Sequence, residues 1–164
     1  LAEELGDKDV GTALHERRLK MLEDDAAAQT TPEAQQVHDY ARMNSLVALG
    51  RGDDAVKLFQ QRAQQRPDDY EPWARFGATL HKLGRDDEAK GALEKAVALS
   101  YGTRRLRYLA ALAEVHDARN DSEAARVARQ TLVDDGAKLP AVLRDDKLIA
   151  AAQAKLPPSP TAQR

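Results

Sequence analysis

The stretch 46–59, LVALGRGDDAVKLF, returns 34 residues later at 80–93 as LHKLGRDDEAKGAL. Leu46, Gly50, Ala55 and Phe59 become Leu80, Gly84, Ala89 and Leu93, and the flanking Arg51 and Asp53 become Arg85 and Asp87. A fixed period between about 20 and 50 residues marks stacked structural units, each too small to bury its own apolar face. Arrays of this kind present an extended surface to another macromolecule more often than a catalytic cleft.

Outward from this pair, every apolar stretch has helical spacing and every gap carries helix stop or start signals. Thr31-Pro32-Glu33 reads as an N-cap followed by proline in the first turn, opening a helix that runs to about Leu49. Gly50 and Gly52 end it. Asp53 is placed to cap the next helix, which Pro67-Asp68-Asp69 stops. In the second unit Pro72 opens a helix with Trp73, Phe76, Gly77, Leu80 and Leu83, Gly84 ends it, and Asp86 or Asp87 caps a partner with Ala89, Ala92, Leu93, Ala96 and Val97. Ser100-Tyr101-Gly102-Thr103 separates a third pair, with Leu106, Leu109, Leu112, Ala113 and Val115 on its first helix. Ala124, Val127, Ala128, Thr131 and Leu132 lie on its second, one residue later than strict periodicity, with Arg119 where a glycine is expected.

The segment Trp73-x-x-Phe76-Gly77-x-x-Leu80, followed by Gly84, Ala89, Leu93 and Ala96 and preceded by Pro67, resembles the tetratricopeptide repeat. The resemblance covers repeats at about 36–69, 70–103 and 105–138. Small residues at Gly77 and Ala89 let helices cross closely, and Trp73, Leu80 and Leu93 fill the space between them. The first repeat departs from the pattern: Asp39 stands at the tryptophan position and Arg42 at the large apolar one, which predicts a more exposed edge. The expected fold is all-α, a right-handed α-solenoid of antiparallel helix pairs.

The ends read differently. Segment 1–30 reads as an N-terminal helical segment: Leu5-Gly6-Asp7, then Val10, Leu14 and Leu19, resemble the turn and second helix of a preceding repeat, with 23–30 as an enlarged connection. Leu139-Pro140 opens a capping helix, 139–156, with Leu143, Leu148, Ile149 and Ala152, and 157–164 is a proline-rich tail. A start at Leu1 rather than methionine suggests an excised piece of a longer protein.

Composition narrows the class. The 164 residues carry 42% hydrophobic and 32% charged side chains, so they can build a core, and only 4% are aromatic. With 25 basic against 27 acidic residues there is no surplus for a nucleic-acid partner. No apolar run is long enough to span a bilayer, and zero cysteines exclude disulfides and thiolate metal sites.

Motifs for catalysis are missing. His15, His38, His81 and His116 form no metal-ligand spacing, and no HExxH, GxSxG, phosphate-binding loop or GxGxxG occurs. His81 and His116 fall at equivalent places in consecutive first helices and read as partly exposed residues of the groove. The aspartate pairs, among them Asp68-Asp69 and Asp145-Asp146, sit where helix capping favours them. Arg104-Arg105-Arg107 reads as surface charge. No catalytic residue, cofactor or metal is expected.

What the resemblance implies is a ligand groove on the inner faces of the first helices. Counted from the repeat starts, its positions are Tyr40, Asn44 and Val47, then Ala74, Arg75, Ala78, His81 and Lys82, then Leu109, Ala113 and His116. The carboxylate clamp of chaperone-docking members is absent: only Asn44 matches, and the other positions hold Tyr40, Arg75, Leu106 and Ala110. Small and apolar residues with isolated cations suit an extended segment or a partner helix. The expected function is a non-catalytic scaffold binding a protein or peptide. Two alternatives stand beside it. One is a bacterial cell-envelope assembly domain (exopolysaccharide export or cytochrome maturation), periplasmic or attached to the inner membrane within a larger assembly. The other is a homo-oligomerisation module using an uncovered repeat edge.

Overall fold

The computed structural model describes residues 8–157, and all regular structure among them is helical. The helices are α1 (Lys8–Ala27), α2 (Pro32–Gln35), α3 (Asp39–Ala48), α4 (Gly52–Gln65), α5 (Tyr70–Lys82), α6 (Asp86–Leu99), α7 (Gly102–Ala118), α8 (Ser122–Lys138) and α9 (Asp146–Ala154). A single 3-10 turn, Ala141–Leu143, precedes α9. The chain divides into two compact units, residues 1–61 and 62–164.

Three turns share one hydrogen-bond pattern, and they define the repeat. The N–H of Arg85 donates to the Leu80 carbonyl at 2.9 Å and that of Gly84 to His81 at 2.9 Å. Arg51 and Gly50 donate likewise to Leu46 and Val47, and Asp121 and Asn120 to His116 and Asp117. This double closure of a helix end needs a left-handed residue at its apex. Gly50 and Gly84 supply it with φ of 71° and 72°, and Asn120 supplies it with φ of 58°. Asparagine is the side chain that best tolerates this conformation after glycine. The glycine sought at Arg119 is therefore replaced one residue later, by Asn120.

These apices set the spacings at 34 and then 36, so the third pair runs two residues late rather than one. Helix α7 has 17 residues against 13 in α5. The connection before α7 is residues 100–101, whereas that before α5 is 66–69. Four residues gained in the helix less two lost from the connection give the shift. Ala125 then stands where Ala89 and Ala55 do, and all three are fully buried.

In the unit 62–164, α5 packs on α6, α6 on α7, α7 on α8 and α8 on α9, in chain order. Helix α6 buries the expected face, Ala89, Ala92, Leu93, Ala96 and Val97. On α8 the buried residues are Ala125, Ala128, Arg129, Leu132 and Gly136, so of the expected stripe only Ala128 and Leu132 are buried, and Val127 is 50% exposed. Arg129 occupies the place of Leu93. It is buried, and its guanidinium is held by the Asp117 carboxylate, which offsets the cost of taking the charge from water. At the end of the stack the Asp145 carboxylate caps α9 by accepting from Leu148 N–H at 3.2 Å, and Thr103 Oγ1 donates to the Leu143 carbonyl.

The basic run at the start of α7 is not simple surface charge. Arg105 Nε donates to Asp135 Oδ2 at 2.9 Å and its Nη1 to the Val97 carbonyl, tying α7 to α8 and to the end of α6. Burial pushes the Asp135 carboxyl up, but hydrogen bonds from Arg105 and Lys138 outweigh it and hold the group below its usual 3.8. A depressed folded-state value adds stability that is complete above the unfolded value and disappears as pH falls through the folded one. Wild type should therefore exceed Asp135→Asn in urea midpoint at pH 6, with the gap closing as pH drops below 3.8. A gap that stays constant to pH 2.5 (roughly the acid limit of such a titration) would discount the clasp.

In the unit 1–61, α1 packs on α2 and α3. Helix α1 continues to Ala27, so the enlarged connection expected over 23–30 shrinks to residues 28–31. Thr31 does cap, accepting from Ala34 N–H at 3.2 Å, but that helix ends at Gln35 and the chain restarts at Asp39. His38 Nε2 lies 2.9 Å from Asp25 Oδ2 and holds the break to the end of α1. The exposed edge expected at Asp39 is also overturned: Asp39 is only 1% exposed, and Arg42 Nη1 donates to its Oδ1 at 3.0 Å. A buried carboxylate persists because it is paired. Capping at α4 and α6 differs too, since Asp53, Asp86 and Asp87 lie within first turns and the N-cap of α6 is Arg85, whose side chain makes no capping hydrogen bond and pairs with Glu88 instead. The Leu5-Gly6-Asp7 turn and the tail from Pro158 onward lie outside the described residues.

Candidate functional site

Helices α5 and α7 are neighbours, and the face they share is the candidate site. Along α5, Glu71, Arg75, Ala78 and Lys82 recur at i, i+4, i+7 and i+11, which places them on one side of the helix. Arg75 Nη2 donates to Glu71 Oε1 at 2.6 Å. At the N-terminal end of this face the Tyr70 and Tyr108 rings lie 5.8 Å apart, and Tyr101 meets Tyr70 edge-on at 6.3 Å. Three of the chain's four tyrosines thus converge at one place in a chain that is 4% aromatic. Burial raises the Tyr108 hydroxyl above its usual 10.0; Glu71 and Tyr70 push the same way, while Arg104 and Arg75 oppose them. Two guanidiniums and a carboxylate therefore act on the Tyr108 hydroxyl, and each tyrosine combines an apolar ring with a polar tip.

The expected groove residues divide into several groups. Arg75, Ala78 and Lys82 lie together on the α5 face. His81 starts from the same helix but is committed to Asp86 at the beginning of α6. Ala74 is buried. Leu109, Ala113 and His116 are 3%, 1% and 6% exposed and so mostly packed inside; Leu109 and His116 edge an open pocket with residues of α6 and α8, and Ala113 one with residues of α8 and α9. The cause is the spacing of 36: Ala113 falls at the place of Gly77, and His116 at that of Leu80 rather than of His81. The surface counterparts of Arg75, Ala78 and Lys82 on α7 are Ala111, Glu114 and Ala118, each at least partly exposed. In the other unit Tyr40 is exposed and Asn44 and Val47 are half-buried on α3.

Tyr70, Tyr101 and Tyr108 did not figure among the expected groove residues, because none occupies a groove position of the repeat template. The signal that could have found them is scarcity: aromatic residues are rare here, and these tyrosines cluster around the second repeat junction. Among the described residues no group of three or more histidine, cysteine, aspartate or glutamate side chains is arranged to hold a metal, and no helix is long and apolar enough to cross a membrane.

Comparison with known proteins agrees with this architecture. Residues 46–113 match the tetratricopeptide repeat family. The crystal structure of PcrH in complex with the chaperone binding region of PopD aligns with a TM-score of 0.61 at 23% identity, covering 79% of this chain and 93% of that one. This is a likeness of fold. No curated protein matches the sequence. With the repeat turns, the buried alanine and leucine positions and the in-order packing of helix pairs, residues 46–113 are assigned to the tetratricopeptide repeat family.

Proposed function

We propose that this protein is a non-catalytic interaction module whose α5–α7 face holds a segment of a partner protein. The observation that carries the reading is the tyrosine pair Tyr70–Tyr108, flanked by Arg75, Glu71 and Arg104, at the end of a track of small residues, Ala78, Ala111 and Ala118. Small side chains let a partner backbone approach, the rings offer rigid apolar area at low entropic cost, and the charges fix register. A fold relative, PcrH, was solved holding the chaperone binding region of PopD, which is a precedent for a protein segment as ligand.

Placing a photo-crosslinking side chain at Ala78 or Ala111 should give partner adducts in extracts of the native host, while the same group at exposed Ala98 on α6 should not. Combining it with Tyr108→Ala and Arg75→Ala should cut adduct yield at least about ten-fold without changing helicity, the scale expected for an aromatic–arginine hot spot. Equal labelling from Ala98, or labelling indifferent to both substitutions, would sink the assignment.

A further inference from the structure

A second surface lies at the connection end of the same unit and meets the α5–α7 face at Tyr70. It is an open groove lined by Gln65, Arg66, Pro67, Asp68, Asp69, Tyr70, Leu99 and Tyr101. Tyr101 is 77% exposed, although its ring is among the largest apolar surfaces in the chain. Its ring stands at 87° to that of Tyr70, so the two form a right-angled corner, and Pro67 and Leu99 extend the apolar wall. Large rings left exposed beside other apolar groups mark binding surfaces.

The charges of the groove select the ligand. Arg66 and Asp69 neutralise each other at 2.5 Å, and the Asp69 carboxylate also accepts from Glu71 N–H at 2.9 Å. Pro67 is anchored because its carbonyl accepts from Trp73 Nε1–H at 2.9 Å, so the loop presenting the groove is fixed rather than draped. The exposed Asp68 carboxylate then leaves the lining with a net negative charge: two aspartates against one arginine. A ring face and a carboxylate both attract a cation, and a long aliphatic stem fits the proline and leucine wall.

We infer that this corner binds an arginine side chain of an extended peptide segment. The stem lies along Pro67 and Leu99, and the guanidinium stacks on Tyr101 and reaches Asp68. The site goes beyond the α5–α7 reading: it shares Tyr70 with that face, but its arginine contacts are Tyr101 and Asp68, which that reading does not use.

The test uses the whole chain and two synthetic pentapeptides, Ac-Gly-Ala-Arg-Ala-Gly-amide and its uncharged citrulline twin. The arginine peptide should shift the ring signals of Tyr101 and Tyr70 saturably in aromatic NMR spectra. It should bind about five-fold tighter than the citrulline peptide, the scale of an exposed cation–ring contact. Asp68→Asn should remove most of that preference, and Tyr101→Ala should abolish the binding. Both positions are exposed in a connection, so neither change threatens the fold. The inference is overturned if the citrulline peptide binds equally well, if Asp68→Asn leaves the preference intact, or if neither peptide produces a saturable shift. Crosslinks from Ala78 and Ala111 obtained while neither peptide gives a saturable shift would leave the α5–α7 reading standing while this one falls.

Discussion

Leu93→Ala should lower the free energy of unfolding by about 3 kcal/mol, Gly77→Ala by about 2 kcal/mol, and the double variant by clearly less than their sum. The reason is one crossing point. A Cβ built on Gly77 would fall 2.6 Å from Leu93 Cγ, 3.1 Å from its Cδ2 and 3.2 Å from the Ala89 carbonyl oxygen. The nearest obstacle is the branch point of a fully buried side chain, which has nowhere to swing. Each single change therefore has its own cost, a cavity for Leu93→Ala and a clash for Gly77→Ala. In the double variant the new methyl enters the space the leucine left. Only the backbone contact with Ala89 remains tight. Urea unfolding of the four proteins measures the coupling, which should reach at least about 1 kcal/mol in the compensating direction. Additive losses would mean that α5 and α6 do not meet at this pair.

Ile149→Asp should release α9, with a loss of about 2 kcal/mol confined to the end of the stack. Ile149 packs over Gly136, where its Cδ1 would lie 2.5 Å and its Cγ1 2.8 Å from an added Cβ. A carboxylate there would sit against the α8 backbone at Gly136. Hydrogen exchange should show lost protection over 146–154, while α5 and α6 keep theirs. Global unfolding at the same denaturant concentration, or unchanged protection of α9, would contradict a separable cap. Gly136→Ala should be milder than Gly77→Ala, near 1 kcal/mol, because the atoms in its way are the flexible tip of a side chain that is itself only half-buried.

Much of this was readable from residues alone. Leu46, Gly50 and Ala55 recur as Leu80, Gly84 and Ala89 because a helix end closed by a left-handed apex, and a helix crossing too close for a large side chain, each accept few residue types. The same logic failed one repeat later. Asn120 can replace glycine at the apex and Arg129 can replace leucine beneath it, because Asp117 supplies a carboxylate on the spot. A template that looks for glycine then slips by one residue, and that slip moved Leu109, Ala113 and His116 from the core into the expected groove. On a helix one residue is a rotation of about 100°, enough to turn a buried face outward.

The candidate site was only half legible for a related reason. Arg75, Ala78 and Lys82 follow from helical spacing on α5. The convergence of Tyr70, Tyr101 and Tyr108 does not, because it depends on how far α7 extends before its first turn and so on a connection two residues shorter than its counterpart. His81 shows the converse: its spacing puts it on the open face, yet Asp86 draws it across the turn.

The sequence by itself determined the helical repeat, its turns and the buried small-and-large pairing, since these depend on backbone angles and side-chain volumes that are local properties. Tertiary structure alone decided the phase of α7, the burial of Asp39 and Arg129, and the meeting of the tyrosines. Those features arise where two helices compete for the same space, and the outcome depends on the partner's side chains as much as on the segment's own.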